Sequence, residues 1–397
     1  MKKQAKPADE SAVWLERIRG RRRRRKIRLA VGVTVILAAV LVYFTGLYGA
    51  SIAMLGDVLD TISIALKPGQ SWPVQTDKPE LLSAQPLSGS FLLLSGDDLT
   101  LYSNSGSQLR SIQHGYTRPQ AAAAGTRFCL YNRTGTQLRV ESRTRTLYTK
   151  TFSQPILTAD IASGGEVAVL TRSPRYTGEL MLYDAQFEEI FHWYATEQDG
   201  TPYLMDLDDN GRMVVGCAAP SNGQMGLNLI LLNGSQTDPL ASIRLEGCSG
   251  YRVSWLGGGR FAVITDTFVA VYDTKGEERA RYDHAGTLLS ADTSGGTLAL
   301  LYEDGQVKLL DSSLRETGSS SVSGAGKVLL AGGRAYCLTK DSVYGFSLKG
   351  ESLGMQTFDS TPQAVFKAGK VLVAYGDSLD RLDLDPLPAS ASSSAAE

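Results

Sequence analysis

Beyond Lys78 the chain alternates short apolar runs with clusters of Gly, Asp, Asn and Ser. One signature recurs: a Gly, one polar residue and an apolar run. It appears as GSFLLL from Gly89, GEVAVL from Gly165, GRMVVG from Gly211, GRFAVI from Gly259, GTLALL from Gly296, GRAYCL from Gly333 and GKVLVA from Gly369. An eighth instance, GTRFCLY from Gly125, carries one extra residue. The first apolar residues are Phe91, Phe128, Val167, Met213, Phe261, Leu298, Ala335 and Val371, spaced by 37, 39, 46, 48, 37, 37 and 36 residues, a mean of 40.

Each unit reads the same way. An apolar stretch such as PILTADIA or TLLSADTS precedes the Gly turn and the apolar run. A hairpin leads to a third run, as in LTLYSNSG, LMLYDAQ, LILLNGS, VAVYDTKG and VKLLDSS, and a more polar fourth closes the unit, as in EEIFHWYA and EERARYDH. Short runs of β-branched and aromatic residues bounded by turn formers are strands. Four strands per period of about 40 predict a β-propeller blade. A helical solenoid would need amphipathic stretches of ten or more residues at a 3.6 period, and the units contain none. The fold class is therefore all-β, with eight blades preferred and seven, with one unit displaced or merged, as the alternative count. Stacking blades in a ring covers both apolar faces of each sheet and leaves only short edges. The last unit supplies three strands before DPLPASASSSAAE, which has no strand pattern. TISIALKPGQSWPVQ, residues 61–75, belongs to no unit, so a strand within Ile62–Val74 is expected to pair with the last blade and close the ring.

Charge then divides the chain. Residues 1–28 hold 12 Lys/Arg against 3 Asp/Glu, leaving 28 basic and 38 acidic residues (40 less 12, 41 less 3) for the rest. An acidic body argues against nucleic acid as a partner, because phosphate binding needs a basic surface. From Leu29 to Gly56 there is no charged residue, and Leu29–Tyr48 is almost wholly apolar. About 20 such residues span a bilayer core as a helix. Tyr43, Phe44 and Tyr48 suit the far interface, and RRRRRKIR before the span keeps that end cytoplasmic. The expected organisation is a basic cytoplasmic tail at 1–28, a transmembrane helix at 29–48 in contact with membrane lipid, and a linker at 49–60. An extracytoplasmic propeller follows at 61–386, with a disordered tail at 387–397. A cleaved leader is the competing reading of the apolar segment, with Ser51 and Ala53 as its small residues. Residues 8–19, ADESAVWLERIR, form a short helix in this reading, with Val13, Trp14 and Ile18 on its apolar side.

Chemistry-bearing residues are sparse and scattered. His114, His192 and His284 are each alone, without zinc-ligand spacing. No nucleophile elbow, P-loop or dinucleotide fingerprint is present. DLDDNG at Asp206–Gly211 comes closest to a calcium loop but lacks its closing Glu, and reads as a turn. Asp97–Asp98 and Asp208–Asp209 also read as turn residues bonding their own backbone. Cys129, Cys217 and Cys337 fall in second strands as small hydrophobes, while Cys217 and Cys248 lie in neighbouring stretches where a disulfide would require close Cα atoms. The sequons at Asn132 and Asn233 matter only in a eukaryotic secretory pathway. No residue is assigned a catalytic, cofactor-binding or metal-binding role.

The SADTSGGTLALLY and MDLDDNGRMVV turns and the VYDTKGEE hairpin resemble those of the broad superfamily of WD40-like and quinoprotein-like propellers. No WD dipeptide ends the strands, and Trp193 and Trp255 stand alone. The whole chain resembles an uncharacterised family of single-span bacterial envelope proteins with a basic tail and a propeller ectodomain, which implies no particular activity.

The expected function is a membrane-anchored interaction or scaffold module whose partner is another envelope protein. A ligand-sensing ectodomain and a propeller enzyme with a central-channel site are the alternatives. Two units exceed the period, and their excess sits in second-to-third-strand loops (171–179, 217–228) and blade junctions (194–203, 246–253). These carry Arg172, Arg175, Tyr176, Tyr194, Tyr203, Met225, Tyr251 and Arg252, residue types enriched at interface cores. That set is the candidate partner surface, with tolerated insertion as the plainer reading of the same loops.

Overall fold

In the computed structural model, which describes residues 56–57, 60–220 and 223–386, every Gly-led run becomes the second strand of a four-stranded antiparallel sheet. Eight such sheets occur. Blades 1 to 7 cover residues 83–113, 119–151, 156–195, 201–246, 250–283, 288–321 and 327–357. Blade 8 takes three strands from 362–381 and its fourth from Val74–Gln75. The first strands pack against one another around the axis, so strands a to d run from the axis outward in each blade. The architecture is an eight-bladed all-β propeller.

The second strands read as unbroken apolar runs because both faces are buried. In Arg212–Ala218, the side chains of Met213, Val215 and Cys217 pack on blade 3, while Val214 between them packs on blade 5. Alternation at period two thus feeds two cores rather than one core and solvent. Eight hydrophobic clusters result, one at each blade-to-blade interface, from blades 1 and 2 around to blades 8 and 1. The outer strands, such as Glu278–Asp283, turn polar because only one edge of the ring meets water.

Ring closure occurs at the expected blade but with a shorter strand. Val74 pairs with Leu379 and Gln75 with Ser378, and the Thr76 amide donates to the Asp377 carbonyl at 2.7 Å. Val74 is buried among Phe91, Phe366 and Leu379. Residues 62–65, expected to be extended, belong instead to a short helix at 60–65. Ile62, Ile64 and Leu66 alternate, which suits a strand, yet only Ile64 is buried. Pro68 and Pro73 lack the N–H that a longer ladder would need.

The chain divides into two units, Met1–Val58 and Leu59–Glu397. The expected tail at 1–28, helix at 8–19, span at 29–48 and terminal tail at 387–397 lie outside the described residues. Among the described residues no helix is long and apolar enough to cross a membrane.

Candidate functional site

Strand order fixes two faces. The a–b and c–d turns emerge on one, and the b–c loops and d–a junctions on the other. Hydrogen bonds tie loops to junctions on this second face: Thr177 N to Ala195 O at 2.9 Å, Gly247 N to Met225 O at 2.9 Å and Asp266 N to Ser249 O at 3.1 Å. The face collects the apolar side chains that the cores leave over. Nine large hydrophobic residues are exposed among the described residues, and six of them (Leu82, Tyr176, Tyr194, Met225, Tyr251 and Leu289) sit here.

The candidate residues fall into three groups. On blade 3 the rings of Tyr176 and Tyr194 lie 4.7 Å apart, and His192 stacks on Tyr194 at 4.4 Å. His192 Nδ1 lies 3.0 Å from Glu189 Oε1. Arg172 and Arg175 are exposed on the adjoining loop, where Ser173 Oγ accepts the Arg175 and Tyr176 amides and donates to Glu179 Oε1 at 2.6 Å. On blades 4 to 6, Tyr251, Arg252 and Leu289 border a hollow of about 360 Å³, while Met225 stands exposed on its own loop. Tyr203 is different. Its hydroxyl donates to Gly250 O at 3.1 Å and accepts from Gly250 N at 3.0 Å, joining blade 4 to blade 5 rather than facing out.

Arg252 links the rim to the channel. Its guanidinium donates to Asp292 Oδ1 at 3.0 Å and to Ala291 O at 3.3 Å. It also borders a hollow of about 200 Å³ that holds Asp160 and Asp206. The channel proper encloses about 540 Å³, with Gln85, Asp160, Asp292 and Lys367 among its walls.

The channel acids belong to a repeated device that sequence reasoning missed. In blades 1, 3, 4, 5 and 6 the strand-a residue opposite the second residue of the apolar run reaches the next blade. Asp160 Oδ2 accepts Leu207 N at 2.9 Å, Asp206 Oδ2 accepts Trp255 N at 2.7 Å, and Asp292 Oδ2 accepts Leu330 N at 2.8 Å. Gln85 Nε2 at the same place donates to Ala121 O at 2.7 Å, and Ser254 meets Thr293 at 2.9 Å. The signal was present: TADIAS, MDLDDN and SADTSG each hold an acid at one register position inside an inner strand. Burial pushes the Asp160 and Asp206 carboxyls above the usual carboxylate range, and the Asp160 charge raises Asp206 further. Such a facing pair holds a proton that isolated carboxylates release.

The remaining acids of Asp206–Gly211 are bound within the protein. Asp208 Oδ2 accepts from Arg212 Nε at 2.7 Å, and Asp209 Oδ1 accepts Ser163 N at 2.8 Å. Among the described residues no group of three His, Cys, Asp or Glu is arranged to hold a metal ion. His114 and His284 lie in junctions, His114 lowered from its ordinary pKa by burial. All four cysteines are free and buried, and burial raises their thiols.

Residues 71–384 match a family of unknown function, DUF5711, and the chain belongs to it. No curated protein matches the sequence. Several solved structures share the fold. BamB from Moraxella catarrhalis is 12% identical, with a TM-score of 0.55 over 79% of this chain and 99% of that one. Sqt1 from Saccharomyces cerevisiae is 13% identical, with a TM-score of 0.58 over 79% and 98%. The computationally designed protein Ika8 is 12% identical, with a TM-score of 0.59 over 78% and 98%. At these identities the likeness concerns the propeller itself.

Proposed function

We propose that this protein is a membrane-anchored, extracytoplasmic interaction module of the cell envelope, and that its partner docks on the junction face of blades 3 to 6. The observation that carries the reading is the gathering of Tyr176, Tyr194, Met225, Tyr251 and Leu289, all exposed, on that one face. Exposed aromatic and Met side chains beside arginines form the anchors of protein interfaces. Anchoring rests on the uncharged Leu29–Gly56 segment behind its basic run, which also orients the propeller outward. The binding reading is preferred to an enzymatic one because the inner-strand acids accept backbone N–H groups from neighbouring blades, a structural use. A ligand-sensing role draws on a separate observation, the hollow where Arg252 meets Asp160 and Asp206.

The experiment is capture by crosslinking in native membranes, comparing the full chain with an Arg175→Ala, Tyr176→Ala, Tyr251→Ala variant. The expected result is loss of a specific crosslinked partner at unchanged melting temperature. Undiminished capture by the variant would place the partner elsewhere.

A further inference from the structure

The opposite face carries a second feature of different chemistry. Between blades 7 and 8 lies a groove of about 730 Å³, lined by Arg334, Lys367, Lys370 and Arg381, with Asp383 its one acidic wall. The four cations come from the two a–b turns and from the end of the last strand, so the fold rather than the sequence brings them together. All four are exposed, and among the described residues none is ion-paired to a carboxylate. Arg381 lies over the Trp72 ring, 5.4 Å from its centroid. Several arginines elsewhere in this acidic body are matched, Arg110 and Arg139 with Glu141, Arg212 with Asp208, Arg252 with Asp292 and Arg279 with Asp273, whereas here four cations gather with no carboxylate bound to any of them. Four unmatched cations in one groove form a site for a group carrying negative charge, and guanidinium and ammonium together suit phosphate.

The place of the groove says which phosphate. Residues 60–72 run across this same face. Arg143 donates to Thr61 Oγ1 at 2.6 Å, the Gln70 amide donates to Ser105 O at 3.0 Å, and Trp72 reaches the groove's edge. Residues 60 and 61 therefore lie on the face that bears the groove. Eleven residues, 49–59, reach at most roughly 40 Å when extended. If residues 29–48 occupy the bilayer, as the anchored reading has it, that reach allows this face to meet the headgroups.

We propose that the groove binds the phosphate of anionic phospholipid headgroups and thereby turns the junction face away from the membrane. The proposal rests on the anchored reading above for its choice of lipid. Attraction is electrostatic, so binding weakens as salt rises.

The test uses the full chain in neutral detergent micelles, titrated separately with dihexanoyl phosphatidylglycerol, dihexanoyl phosphatidylcholine and inorganic phosphate, and followed by calorimetry. Phosphatidylglycerol should bind saturably and phosphatidylcholine should not. An Arg334→Gln, Lys367→Gln, Lys370→Gln variant should bind phosphatidylglycerol roughly 100-fold more weakly, about fivefold for each charge removed. An Arg118→Gln, Arg133→Gln, Lys340→Gln variant, which loses as much charge from the opposite face, should bind like the parent. Equal binding by the groove variant, or equal binding of the zwitterionic lipid, would overturn the proposal. Inorganic phosphate binding as tightly as the lipid would assign the groove to free phosphate and overturn the lipid claim. Alkaline extraction of native membranes separates this from the anchor: release of the parent chain would sink the anchored reading, whereas the micelle titration judges the groove without it.

Discussion

Asp206→Asn should stabilise the propeller at pH 8 and leave it unchanged near pH 4. Asp206 Oδ2 accepts the Trp255 amide at 2.7 Å, and an Asn amide oxygen can accept the same bond, so the tie between blades 4 and 5 survives. What disappears is an ionisable proton. Burial, then the nearby Asp160 charge, keeps the Asp206 carboxyl protonated above the usual range. In the unfolded chain it ionises near the ordinary value of about 3.9. From there upward the unfolded state releases a proton that the fold retains. This group's stability is thus complete below about pH 4 and is lost as pH rises through the folded value. Each tenfold rise in proton affinity costs about 1.4 kcal/mol once the folded carboxyl has ionised. Urea unfolding of the full chain at pH 4, 6 and 8, read by tryptophan fluorescence, measures it. The variant's advantage should be near zero at pH 4 and grow by up to about 1.4 kcal/mol per pH unit until the folded carboxyl ionises. Asp206→Ala, which leaves the Trp255 amide without its acceptor, should instead lose about 1–3 kcal/mol at pH 4. An advantage independent of pH, or an Asn variant weaker than its parent at pH 8, would mean that Asp206 is ionised in the fold and would refute the reasoning.

Four further outcomes follow from the same contacts. A chain beginning at Lys78 lacks Val74 and Gln75 and should lose about 2–4 kcal/mol relative to one beginning at Thr61, from one buried Val and its backbone pairing; matched thermal melts would deny the closing strand its role. Gly318→Ala would drive a Cβ into the Lys349 backbone of blade 7 and should cost about 1–3 kcal/mol, whereas Gly326→Ala meets nothing within 4 Å and should be neutral or stabilising in the same denaturation assay. The four buried thiols, with Cys248 pushed up to about 11, should react with a disulfide reagent only on unfolding, so fast labelling of the native chain would contradict their burial. Protease added to spheroplasts should digest residues 60–386 and spare the basic tail, and a protected propeller would reverse the topology.

The blade count was legible because each second strand is buried on two sides, which writes an unbroken apolar run after a Gly at every turn. Closure was legible as a missing strand, but its extent was not. Ile62, Ile64 and Leu66 satisfy a period of two, and the short helix at 60–65 buries only Ile64, so periodicity over five residues could not decide between them. Tyr203 shows another limit. By type it belongs with Tyr194 and Tyr251, yet its hydroxyl is occupied between blades. The inner-strand acids were visible as letters, Asp206 within a turn and Asp160 and Asp292 within apolar stretches, but only the register places the three opposite the same residue of the next strand. The groove cations were the least legible, since Arg334, Lys367, Lys370 and Arg381 meet only when two blades stack.

Closure by an N-terminal segment makes the seam of the ring and the approach from the anchor one piece of chain. The seam pairs just two residues of strand, Val74 and Gln75, so on the anchored reading any pull from the membrane side would reach the weakest join first if nothing intervened. The structure places a clamp before it. Thr144 Oγ1 donates to Asp60 at 2.7 Å, Arg143 donates to Thr61 at 2.6 Å and to Ser88 O at 2.7 Å, and Ser107 donates to the Pro68 carbonyl. These donors belong to the c–d turns of blades 1 and 2. Arg143 is almost wholly buried and fixed to the turn of blade 1 as well as to the incoming chain. A load entering at residue 60 therefore passes into two complete blades before it reaches Val74. The arrangement lets a short closing strand suffice, because the strand has to hold the ring shut but does not have to hold the tether.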